Sequence, residues 1–135
     1  MSSAILALRA AILTKLKGDI TLTGLLSGPQ IYEDAPRSAV PPFITFGDVS
    51  AKDWSTSTEG GLEQVLSLHI WSKPNIMRPS LLIADRITTL LQDVPLAVNG
   101  HNLISLHCTT IETKAEEAGR WLRTSLRFRA VTEPI

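Results

Sequence analysis

Leu103-Ile104-Ser105-Leu106-His107-Cys108-Thr109 and Leu122-Arg123-Thr124-Ser125-Leu126-Arg127-Phe128-Arg129-Ala130 both alternate apolar and polar side chains along the chain. A period of two places successive side chains on opposite sides of an extended backbone, so each run reads as a half-buried β-strand. The two arms, Leu103 to Thr113 and Arg120 to Thr132, flank a charged turn, Lys114-Ala115-Glu116-Glu117-Ala118-Gly119, and predict a β-hairpin. One face of the hairpin carries Ile104, Leu106 and Cys108 with Leu122, Leu126, Phe128 and Ala130. The other carries Ser105, His107 and Thr109 with Arg123, Ser125, Arg127 and Arg129. A sheet that is oily on one side and polar on the other needs helices over its oily side.

Upstream, the same parity sets Leu66, Leu68 and Ile70 against Ser67, His69 and Trp71, with Pro74 ending the strand. After the texture changes at Gln30 and passes through Ile31-Tyr32-Glu33 and Asp34-Ala35-Pro36, another strand starts at Phe43-Ile44-Thr45-Phe46, which Pro41-Pro42 confine to begin there. Between these strands, the polar segment from Gly47 to Gly61 is longer than most connections in a compact domain. It is expected to be a long loop or an extended hairpin tip.

Helices are predicted at two places. Ser2 or Ser3 caps a helix whose Ile5, Leu8, Ile12 and Leu16 share a stripe up to Gly18; Asp19 then caps a short second helix with Leu22, Leu25 and Leu26, ended by Gly28-Pro29. Pro79 suits the first turn of another helix running to about Gln92, with Ile83, Ile87, Leu90 and Leu91 on one side and Pro95 beyond it. The order α-α-β-β-α-β-β predicts an α+β two-layer sandwich, a mostly antiparallel sheet with the helices on one face, in a single domain spanning residues 1–135. Its core is expected to contain Ile5, Leu8, Ile12, Leu66, Leu68, Ile70, Ile83, Ile87, Leu90, Leu106, Leu126 and Phe128.

Composition narrows the function. Apolar residues make up 44% and charged residues 19% of 135 positions, ordinary globular usage that excludes collagen-like, disordered and disulfide-scaffold classes. Thirteen Lys and Arg balance thirteen Asp and Glu, so no net field draws nucleic acid or anionic lipid. No apolar run approaches the ~18 residues of a membrane span. Arg9, Lys15 and Lys17 are set into an amphipathic pattern, which does not read as a signal peptide.

Catalytic constellations are not apparent. His107 and the lone Cys108 are adjacent on a strand, so they point to opposite faces and cannot act as a nucleophile and base; Cys108 reads as a small buried hydrophobe. His69, His101 and His107 lack metal-site spacing, although His69 and His107 are placed to meet across neighbouring strands on the polar face. Gly60-Gly61 is too short a signal for a phosphate cradle. The Arg120, Arg123, Arg127, Arg129 row suits cross-strand pairing, phosphate contact or subunit contact. Trp54 stands among polar residues, as an interface anchor or as a lid folded back on the core.

Taken in order, several stretches resemble one family. The Leu25-Leu26-Ser27-Gly28 helix end, Pro42-Phe43-Ile44-Thr45-Phe46, Asp53-Trp54-Ser55-Thr56, His69-Ile70-Trp71-Ser72 and Leu126-Arg127-Phe128-Arg129-Ala130 are similar to the DUF3168 proteins. These are tail-completion or tail-terminator proteins of long-tailed phages and related gene transfer agents. The resemblance implies a structural virion protein, not an enzyme, with no cofactor and no membrane contact. It implies a homo-oligomeric, usually hexameric ring that caps the head-proximal end of the tail tube, stops its polymerisation and joins the head-completion (stopper) protein. DNA would pass through without sequence-specific binding, and the protein would sit at the particle neck after assembly in the bacterial cytoplasm. Lys52, Asp53, Trp54, Arg123, Arg127 and Arg129 are the candidate interface residues. The alternative is a small ligand-binding or hydrolytic domain using the polar sheet face around His69, His107 and Arg127.

Overall fold

The computed structural model describes residues 3–57, 60–116 and 119–135. Helix α1 (Ala4–Lys17) begins where the Ser3 hydroxyl accepts the Leu6 N–H at 3.3 Å, and it ends with Lys15 and Lys17 at the negative end of the helix dipole. Leu8, Ile12 and Leu16 are buried as expected. Ile5 is a correction: it is only partly buried and lies outside the core cluster. It sits in the first turn, at the margin of the helical layer, where the adjoining Leu6 is 66% exposed.

Helix α2 (Ile20–Leu25) is capped by Asp19, which accepts the Leu22 N–H at 2.8 Å. The same carboxylate takes two charge-assisted bonds from Arg86 of α3 (Arg78–Leu91), at 2.7 and 2.8 Å. Arg86, together with that cap, lowers the Asp19 pKa from 3.8 to about 2. One aspartate thus starts α2 and fastens it to α3. Pro79 occupies the first turn of α3, whose Ile83, Ile87, Leu90 and Leu91 are buried.

Strands β1 (Ile31–Tyr32), β2 (Phe43–Asp53), β3 (Leu62–Ser72), β4 (His101–Glu116) and β5 (Trp121–Pro134) form one sheet in the order β1-β2-β3-β5-β4. Every pairing is antiparallel except β1 with β2. The two-residue β1 is an addition to the predicted order. The α+β two-layer arrangement otherwise stands as expected, with α1, α2 and α3 on the face carrying Leu66, Leu68, Ile70, Leu126, Phe128 and Ala130. These residues and the helix stripes form one hydrophobic cluster.

Two departures from the sequence reading have local causes. Of the two expectations for the polar segment between Gly47 and Gly61, the long loop is replaced by the hairpin. After a bulge between Phe46 and Val49, β2 continues to Asp53, still paired with β3. Its far half is exposed on both faces, so no hydrophobic period marks it. The turn closes through the Trp54 N–H to the Gly61 carbonyl at 3.0 Å; Thr58 and Glu59 lie outside the described residues. Ser2 as an alternative cap, and Glu117 and Ala118 at the other hairpin tip, also lie outside them.

The second departure is in β4, which carries irregularities between Leu103 and Ser105 and between Cys108 and Thr110. Each inserts one extra residue and interrupts strict alternation. Ile104, expected to share the oily face, is the extra residue of the first bulge and is 53% exposed; Leu103 packs against the core instead. Thr109 is the extra residue of the second, its hydroxyl donating to the Arg127 carbonyl at 3.1 Å.

The bulge makes neighbouring aliphatic residues inequivalent. Leu106→Ala should cost about 2–5 kcal/mol in denaturant unfolding, whereas Ile104→Ala should stay within about 0.5 kcal/mol. Equal losses at the two positions would contradict the first bulge.

Candidate functional site

The helices leave one sheet face open. Parity places Thr45 and Lys52 of β2 there, with Glu63, His69 and Trp71 of β3 and Arg123, Ser125, Arg127 and Arg129 of β5. Three zones follow one another along the strands.

The first zone is aromatic. Phe43 sits among Tyr32, Trp71 and Trp121, with ring centroids at 6.2, 6.3 and 5.7 Å, and Trp71 meets Trp121 edge-on at 6.3 Å. These four rings are more than half of the chain's aromatic residues (three Trp, one Tyr, three Phe). Their packing leaves Phe43 only 6% exposed although no helix covers it. The Trp71 indole N–H donates to the Thr45 hydroxyl at 2.9 Å. Arg123 stands 5.9 Å from the Trp71 ring centroid and pairs with Glu116 at 2.8 Å. Sequence reasoning missed this cluster. Its signal is that Trp71 and Trp121 share parity with the polar residues of their strands, so two large rings stand on a face read as hydrophilic.

The middle zone holds His69. Its Nδ1 lies 2.7 Å from the Ser125 hydroxyl, and its ring lies against Gly47, where a Cβ would collide with the imidazole. Burial, reinforced by Arg123, pushes the His69 pKa below its ordinary value, so the ring is neutral at neutral pH. A serine touching a neutral imidazole resembles half of a nucleophilic pair, but the Nε2 edge faces the Gly47 backbone, where an orienting carboxylate would be needed.

The third zone is charged. Arg129 donates twice to Glu63, at 2.6 and 3.0 Å, Lys52 lies 3.4 Å from the same residue, and Trp54 lies 6.0 Å from the Arg129 guanidinium. Trp54 is 49% exposed and outside the core cluster, so it is no lid on the core.

The six candidate interface residues therefore separate. Lys52, Trp54 and Arg129 gather at the β2–β3 hairpin tip; Asp53, on the opposite parity, accepts the Ser55 hydroxyl at 2.6 Å. Arg123 belongs to the aromatic end, and Arg127 lies exposed between the two. The expected meeting of His69 and His107 is a correction. β5 lies between β3 and β4, so His69 pairs with Ser125 and His107 with Arg129, four residues further along β5, or roughly 13 Å at ~3.3 Å per residue. Cys108 is half-buried against the core, and burial raises its thiol pKa. Among the described residues no group of three His, Cys, Asp or Glu is placed to hold a metal ion, and no helix is long and apolar enough to cross a membrane.

Comparisons with known proteins give matches of two kinds. The family described as Tail completion protein gp17 matches residues 10–133. Among solved structures, the fold is similar to a chain of the virion of a native gene transfer agent particle, with a TM-score of 0.88 and 21% identity, covering 98% of this chain and 99% of that one. No curated protein sequence matches significantly.

The packing of His69 on Gly47 is directly testable. In Gly47→Ala the added methyl must push the imidazole out of its buried position, so its pKa should rise toward the ordinary histidine value of about 6.5 in an NMR titration. The parent, whose folded-state pKa is depressed, should lose stability as pH falls below about 6.5, and the variant should lose less. An unmoved His69 titration would contradict this contact.

Proposed function

The chain belongs to the tail completion protein gp17 family, and from that premise we propose that it forms a ring capping the head-proximal end of a tail tube, ending tube polymerisation and presenting a joining surface to the head-completion protein. It is a structural component of a phage-type tail and of the particle. The observation that carries the reading is the family match over nearly the whole chain; the fold likeness to a gene transfer agent virion chain supports it. A hexameric ring, built from copies of this chain around the DNA path, is the assembly proposed.

The geometry suits such a role better than a catalytic one. A ring subunit needs two different surfaces that dock head-to-tail, because a rotation that closes gives a ring. The open sheet face supplies two distinct ends, one aromatic and one charged. Arg123 and Arg129 are held by Glu116 and Glu63, which leaves a balanced surface suited to DNA passage without sequence readout. The ligand-binding or hydrolytic alternative needs His69, His107 and Arg127 to converge, and the strand order keeps His69 and His107 apart.

Trp54 is the proposed anchor for subunit or tube contact. Truncating such an anchor commonly costs about 2 kcal/mol or more, roughly thirtyfold in affinity. Trp54→Ala should therefore melt like the parent yet fail to complement loss of the tail-completion gene, leaving overlong tubes or tails detached from heads in electron micrographs. Normal tails of regulated length would rule out the anchor role.

A further inference from the structure

The aromatic end of the open face includes a cup whose role the family match does not assign. β1 stops after Tyr32, opposite Thr45, and the chain then turns away from the β2 edge. A cavity of about 330 Å³ opens there, floored by Phe43, Trp71 and Trp121 and walled by Glu33 and Asp34. An aromatic floor beside carboxylates binds organic cations, because ring quadrupole and anion act on the same charge. The chain uses this chemistry next door: Arg9 stands 4.5 Å from the Phe46 ring centroid and pairs with Glu33 at 3.3 Å. Asp34 is exposed and has no ion-pair partner among the described residues.

We infer that this cup receives the Lys52 side chain from the hairpin tip of a second copy of the chain. The inference rests on the ring reading and gives it a contact. Lys52 is 72% exposed on its side chain, and Glu63 keeps Arg129 at 2.6 Å when Lys52 leaves, so no anion is stranded. Cup and tip lie at opposite ends of the β2–β3 ladder, Phe43 pairing with Trp71 at one end and Lys52 with Glu63 at the other. Nine residues of strand separate them, roughly 30 Å at ~3.3 Å per residue, so a tip cannot reach its own cup. A contact between unlike ends of identical chains is heterologous, the kind that a closing rotation turns into a ring.

Charge reversal and charge conservation test the assignment. Asp34→Lys and Lys52→Asp, each checked for parent-like thermal melting, should weaken self-association about tenfold or more, measured by light scattering in solution and on purified tail tubes. Lys52→Arg, which keeps a cation for the rings and for Asp34, should assemble like the parent. Charge-reversal variants that assemble like the parent, or Lys52→Arg as weak as they are, would overturn the cup assignment while leaving the ring intact. A parent that stays monomeric in both settings would overturn the ring reading and the inference together.

Discussion

A sheet has two faces, and in this chain three helices cover only one of them. On the covered side, aliphatic side chains from α1, α3, β3 and β5 join in one hydrophobic cluster, with Asp19 locking α2 to Arg86 of α3. On the open side the chain supplies its own substitutes for a second layer. Four aromatic rings bury Phe43 at one end, and Glu63 gathers Arg129 and Lys52 at the other. The stability of the first face frees the second to differ from end to end. That difference is what the proposed head-to-tail contact requires.

The place of β5 decides what the open face can do. Inserted between β3 and β4, it puts Ser125 beside His69 and Arg129 beside Glu63, so polar groups that would be reactive or strongly charged alone are engaged with neighbours. It also separates His69 from His107. Gly47, at the bulge of β2, lets the Nε2 edge of the imidazole come close to the backbone, on the side where a carboxylate would have to orient it. The result is a surface on which Arg123 and Arg129 are paired with carboxylates and the rings pack on one another, while Arg127 stays exposed.

Much of the covered side is legible in the sequence because burial there is periodic. Leu66, Leu68 and Ile70 at spacing two, and Ile83, Ile87, Leu90 and Leu91 at helical spacing, report their faces directly. Periodicity fails where burial stops or the count changes. The outer half of β2 is exposed on both sides and reads as loop, β1 is too short to show any period, and each bulge in β4 adds a residue, sending Ile104 to solvent. The candidate site was legible only in part. Trp54 stands out by composition, but the aromatic end depends on Tyr32, Phe43, Trp71 and Trp121 from four strands, and strand order is not written in any local pattern. His69 and His107 illustrate the same limit, since shared parity says nothing about which strands are neighbours.

The proposed role, completion of a tail at its head-proximal end, places the protein at one position in the particle. Cryo-electron microscopy of purified particles, with the fold fitted to the density, reads that position. Symmetry-related copies of this sheet and helix layer are expected in a closed ring between the tail tube and the head. Finding the chain at the distal tip, or absent from complete particles, would contradict it.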